Sequence, residues 1–177
     1  MQVITEMGAN RVATVERVVL RCRALPLLPR FDFDGDYVER LHERVAGLGV
    51  AHAVTFLGHR DDALTVIAAS DLVVMPSVSE HPTIETEGFP LIALEALAVG
   101  TPVVAYATGG LPELLADCGT FVAPGDREGL LQAILSVATD RPAWERLSRC
   151  GQMRARGSFR QADMVQKLDD VYRSARR

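Results

Sequence analysis

From about residue 30 onward the chain alternates between two hydrophobic rhythms. Short runs of β-branched and aromatic residues are separated by longer stretches in which apolar positions return every three or four residues. The short runs predict strands over 30–34, 53–57, 71–76, 101–106 and 120–122, and continuous runs such as LVVM and VVAY fit strands buried on both faces. The longer stretches predict helices over 37–48, 61–70, 90–99, 111–117, 127–138, 142–156 and 161–173. Strand and helix in alternation is the pattern of βαβ units on a parallel sheet. The expected fold is therefore α/β: a single Rossmann-like, doubly wound parallel sheet with C-terminal helices. Residues 1–29 stand apart as an atypical N-terminal segment, helical over 12–25, and residues 30–177 form the domain.

The best-marked helix is 90–99. Pro90 stands where a first helical residue would be and Gly100 lies just past the end, the usual asymmetry of helix ends. At 177 residues the chain suits one domain. Its 48% hydrophobic and 24% charged residues are the balance of a globular protein, which excludes a disordered or fibrous chain. A net charge of -4 gives no basic surface for nucleic acid. Cys22, Cys118 and Cys150 are odd in number and lack C-x-x-C spacing, so they suggest neither a disulfide framework nor a zinc cluster and point to a reducing compartment. No apolar run approaches the roughly 18 residues of a spanning helix. The reading is cytoplasmic, or peripheral at the inner face of a membrane.

Candidate chemistry concentrates in DLVVMPSVSEHPTIETEGFPLIALEALAVGTPVVAY, residues 71–106, which reads as strand, long polar loop, helix, glycine turn and strand. The loop, 77–89, occupies the carboxyl end of a strand, where open α/β sheets bind ligands. At the helix mouth the free N–H groups of Gly88, Phe89, Leu91 and Ile92 and the positive end of the dipole can hold an anion. Glu95 follows in the second turn, within the apolar run PLIALEALAV, where the flanking strands are expected to cover it. Its two carboxylate oxygens suit a pair of vicinal hydroxyls such as those of ribose. Glu87, before the helix, can accept from sugar hydroxyls on the other side of the phosphates. Together these groups describe a pocket for a nucleotide sugar.

Glu87 and Glu95 in EGFPLIALEALAVGTPVVA resemble the E-x7-E motif of retaining glycosyltransferases with GT-B architecture, family 4 (glycosyl transferases group 1). Similarity extends through VTFLGHRDD, ASDLVVMPS, GGLPELLADCGTFVAPGD and the ending VYRSARR, and matches the C-terminal, donor-binding domain. The resemblance implies that Glu87 contacts the donor sugar as the catalytic residue and that Glu95 binds the ribose. The amides of Gly88, Phe89, Leu91 and Ile92 would hold the diphosphate, and His59 and Arg60 would edge the nucleobase. It further implies transfer of a hexosyl or related group without a metal or cofactor, the nucleotide sugar being the donor substrate.

The pattern also departs from that family. Nothing in the chain corresponds to an N-terminal acceptor domain, and the first ten residues lack the basic glycine loop that neutralises the donor diphosphate. Phe33, in PRFDFDGDYVERL, stands where relatives carry a glycine. Residues 51–125 contain Arg60 as their only Arg or Lys against nine acids, so a diphosphate would meet little positive charge there. Two readings follow: a donor-binding half of a glycosyltransferase, incomplete without an acceptor domain, or a non-catalytic binding or assembly module that pairs with a separate partner subunit.

Overall fold

A computed structural model describes residues 18–20, 35–57, 60–78 and 88–175. The chain divides into two compact units, residues 1–63 and 64–177.

In the first unit, β1 (Val18–Leu20) pairs in parallel with β2 (Val54–Phe56), Val18 opposite Val54 and Leu20 opposite Phe56. This corrects the helix expected over 12–25 at its centre. Val18 and Val19 are β-branched and favour a pleated surface, and pairing with a second apolar run outweighs a local helical period. The strand expected over 30–34 lies outside the described residues. Helix α1 (Gly35–Gly47) buries Val45, and its His42 ring lies 3.9 Å from the ring of Phe56.

The second unit begins within the short helix α2 (Ala63–Ala68) and continues through β3 (Val73–Met75), α3 (Leu91–Val99) and β4 (Val103–Tyr106). Helix α4 (Leu111–Leu115) then runs into a 3-10 turn, Ala116–Cys118, and β5 (Thr120–Val122). Helices α5 (Arg127–Thr139), α6 (Arg141–Ser158) and α7 (Gln161–Ser174) complete it. The strands lie in the order β3-β4-β5, all parallel, with Val73 opposite Val103 and Val104 opposite Thr120. The α/β fold, parallel pairing and C-terminal helices are those expected. Among the described residues the strands pair in two ladders, one in each unit. The strands run to only three or four residues, because pairing stops where the chain turns into its loops.

Strand β4 is central, and all four of its residues are buried. Alternation sends Val103 and Ala105 into one cluster with Ala93, Ala96 and Leu97 of α3 and Leu111, Leu114 and Leu115 of α4. Helix α5 packs on β4 and β5 and buries Leu130, Leu131, Ile134 and Val137. This two-sided cover explains why VVAY carries no polar position. The buried hydroxyl of Thr101 donates to the carbonyl of Ile67 at 2.8 Å, so no polar group is stranded there.

The helix ends follow their capping residues. Asp126 and Asp140 accept from Gly129 N–H at 2.9 Å and Ala143 N–H at 3.2 Å, starting α5 and α6. Gly100 closes α3 in the left-handed region, at φ 83° and ψ 22°, with its N–H directed to the carbonyls of Ala96 and Leu97. Pro90 is not the first helical residue but the cap itself, extended at φ -76° and ψ 101°. Its carbonyl accepts from Ala93 and Leu94.

A disulfide joins Cys118 and Cys150, with Cα atoms 5.1 Å apart, where the sequence suggested none. The two are 32 positions apart, a spacing with no signature. Packing of the 3-10 turn against α6 brings them together. Among the described residues no helix is long and apolar enough to cross a membrane.

Candidate functional site

The loops at the carboxyl ends of β3 and β4 meet in front of α3. The Thr108 hydroxyl, just past β4, donates to the carbonyl of Ser77, just past β3, at 3.3 Å. Gly110 faces Gly88 still more closely: a side-chain carbon added at Gly110 would fall 2.0 Å from the Gly88 carbonyl oxygen. Only a residue without a side chain permits this approach. Residues 88–90, the end of the loop after β3, are thereby set beside the start of α4 and directly before α3.

That placement brings several of the expected groups together. Gly88 and Phe89 are exposed, Pro90 is buried, Leu91 is exposed and Ile92 half-buried. Leu91 and Ile92 are the first two residues of α3, so their N–H groups have no carbonyl one turn earlier to bond. They carry the positive end of the helix dipole.

Glu95 differs from its expected burial. A period of 3.6 residues turns Ala93, Ala96 and Leu97 toward the sheet, and the opposite face carries Leu91, Glu95 and Ala98. Glu95 is accordingly half-buried, while Leu91 and Ala98 are exposed. No described residue forms a hydrogen bond or ion pair with its carboxylate. A carboxylate on the half-exposed side of an apolar helix can stay hydrated without a protein partner. At 1.5 Å per residue it stands about 6 Å along the helix from Leu91, on the same face.

Arg60 is engaged. Its guanidinium forks onto Asp62, Nε to Oδ1 and Nη2 to Oδ2, both at 2.6 Å. This hydrogen bonding, with the opposite charge, raises the Arg60 pKa. The same hydrogen bonds hold the Asp62 carboxyl below its ordinary value. The pairing was not anticipated from the sequence, where the order Arg60-Asp61-Asp62 was the available signal. Glu87 and His59 lie outside the described residues. Among the described residues no group of three or more His, Cys, Asp or Glu is placed to hold a metal ion.

Residues 14–140 match the family described as Glycosyl transferases group 1. The chain is 38% identical over 147 residues to D-inositol 3-phosphate glycosyltransferase from Stackebrandtia nassauensis, covering 75% of this chain and 32% of that protein. It is similar in structure to Anabaena Alr3699/HepE in complex with UDP, at TM-score 0.76 and 29% identity, over 89% of this chain and 41% of that one. It also resembles the C-terminal domain of a glycosyl transferase group 1 family protein (LpcC) from Francisella tularensis. There the TM-score is 0.60 at 25% identity, over 76% of this chain and 66% of that one. The chain thus spans about a third of the length of the glycosyltransferase relative. With the α/β architecture and the helix-mouth site in place, the match over 14–140 establishes that this chain belongs to the glycosyl transferases group 1 family.

Proposed function

We propose that the chain is the donor-binding half of a retaining GT-B glycosyltransferase of family 4, which takes a nucleotide-activated sugar and acts with an acceptor domain. The observation that carries this reading is the shared face of α3. N–H groups at its start that have no helical carbonyl to bond, and the Glu95 carboxylate one turn further, which no described residue bonds, offer two complementary groups in line. A nucleoside diphosphate has the matching order: an anionic pyrophosphate, then a pentose diol.

In this reading the amides of Gly88, Phe89, Leu91 and Ile92 receive the diphosphate, and Glu95 accepts hydrogen bonds from the ribose hydroxyls. The same amides steady the charge that builds on the departing diphosphate, an interaction that strengthens as the glycosidic bond breaks. Glu87 is assigned to the donor sugar on the family motif alone, its carboxylate stabilising the positive charge that develops there. Donor charge is met by backbone dipoles, because residues 51–125 carry one basic side chain against nine acids.

Isothermal titration of the chain with uridine, guanosine and adenosine diphosphates tests the reading. One of them binds at millimolar affinity or tighter, and Glu95→Ala weakens it about tenfold or more, at least the worth of one charge-assisted hydrogen bond. Absence of binding by folded protein to all three overturns the proposal.

A second reading, a non-catalytic module that pairs with a separate partner subunit, is favoured by α7. That helix buries none of its residues and presents Met164, Val165, Leu168, Val171 and Tyr172 at 48–68% exposure on one face. Donor binding without hydrolysis or transfer in the presence of the partner would support it.

A further inference from the structure

The exposed Phe89, in the loop end beside α3, is not positioned by burial. It is 50% exposed, yet its ring meets the ring of Phe159 edge to face, with centroids 5.7 Å apart and planes at 64°. Phe159 is the joint between α6 and α7, half-buried against the core cluster. On it lies the guanidinium of Arg154, 5.3 Å from the ring centroid. Arg154 in turn donates from Nε to the carbonyl of Leu114 at 2.6 Å and from Nη2 to that of Glu113 at 2.5 Å, bonding carbonyls at the end of α4.

The chain of contacts closes on itself. Helix α4 is five residues long, and Gly110, the residue before it, is the one that abuts the Gly88 carbonyl. Residues 88 and 89 are therefore fixed from two directions by the same short helix. Gly110 sets the Gly88 backbone, while Phe159 and Arg154, anchored on the other end of α4, set the Phe89 ring. The disulfide from Cys118 to Cys150, one turn before Arg154, joins the 3-10 turn that follows α4 to α6 covalently.

We propose that Phe159 and Arg154 are positioning residues for the diphosphate site: through the Phe89 ring they hold the 88–89 backbone with its N–H groups toward the ligand. This inference rests on the proposed donor binding and adds residues to it that touch no ligand. Arg154 suits the role because its planar fork bonds two carbonyls while its face covers an aromatic ring, which lysine does not reproduce. An edge-to-face contact is strong enough to matter at an otherwise exposed ring.

The test separates phosphate from nucleoside. Titrations of wild type, Phe159→Ala, Phe159→Tyr and Arg154→Lys are run with the best-binding nucleoside diphosphate and with its parent nucleoside, on protein whose far-UV circular dichroism matches wild type. Phe159→Ala and Arg154→Lys weaken the diphosphate about fivefold to tenfold and the nucleoside less than about twofold, and Phe159→Tyr restores the wild-type ratio. Equal weakening of both ligands, or no change in either, overturns the inference while leaving donor binding intact. If wild type binds no nucleoside diphosphate, the proposed function falls and this inference with it. Should Phe159→Ala fail to fold, Phe89→Leu removes the same contact from its exposed side. The same selective loss supports the role, and an unchanged ratio refutes it.

Discussion

Helices α3 and α7 are opposite cases. Helix α3 is nine residues with eight apolar positions and one acid, and Ala93, Ala96 and Leu97 are buried at 0–2% exposure. Helix α7 is 14 residues, carries an Asp169–Arg173 ion pair at 2.8 Å along its surface, and buries nothing. In sequence α7 has the clearer amphipathic stripe, with apolar residues at positions 164, 165, 168, 171 and 172. The lesson is that periodicity announces a face to be covered, whereas burial depends on what the rest of the chain supplies. For α3 that is β4, α4 and α6. For α7 the described residues supply no such cover. It follows that the apolar helix contributes more to stability than α7 does, and the single polar side chain it retains is the one we propose for donor binding.

Two substitutions sharpen this contrast. Leu97→Ala opens a cavity in the cluster shared by α3, α4 and β4 and destabilises the protein by about 2–5 kcal/mol in denaturant unfolding. Leu168→Ala, on the stripe of α7, changes stability by less than about 0.5 kcal/mol in the same experiment. A loss at Leu168 approaching that at Leu97 would mean that the stripe is covered after all and that the two helices play equal parts.

Much of the fold was legible because it rests on local chemistry. Helix α5 starts at Arg127 and α7 at Gln161 as the pattern required, and Gly100 ends α3 because no other residue enters the left-handed region so readily. What the sequence concealed is what distant partners decide. Val18 to Leu20 has a helical period, and only its register with Val54 to Phe56 makes it a strand. Cys118 and Cys150 become a pair only when the turn after α4 packs on α6. At the candidate site the helix mouth could be read from Pro90 and Gly88, whereas the outward face of Glu95 could not, because an acid among apolar residues suggests burial until the wheel is fixed by Ala93, Ala96 and Leu97. The fork between Arg60 and Asp62 likewise depends on the turn before α2.

The central claim is that the start of α3 and Glu95 together receive a nucleoside diphosphate. A crystal structure of the chain with that ligand tests it most directly. The phosphates are expected against the N–H groups of Gly88, Phe89, Leu91 and Ile92, and the pentose hydroxyls on the Glu95 carboxylate. A ligand bound elsewhere, with Glu95 facing only water, would contradict it.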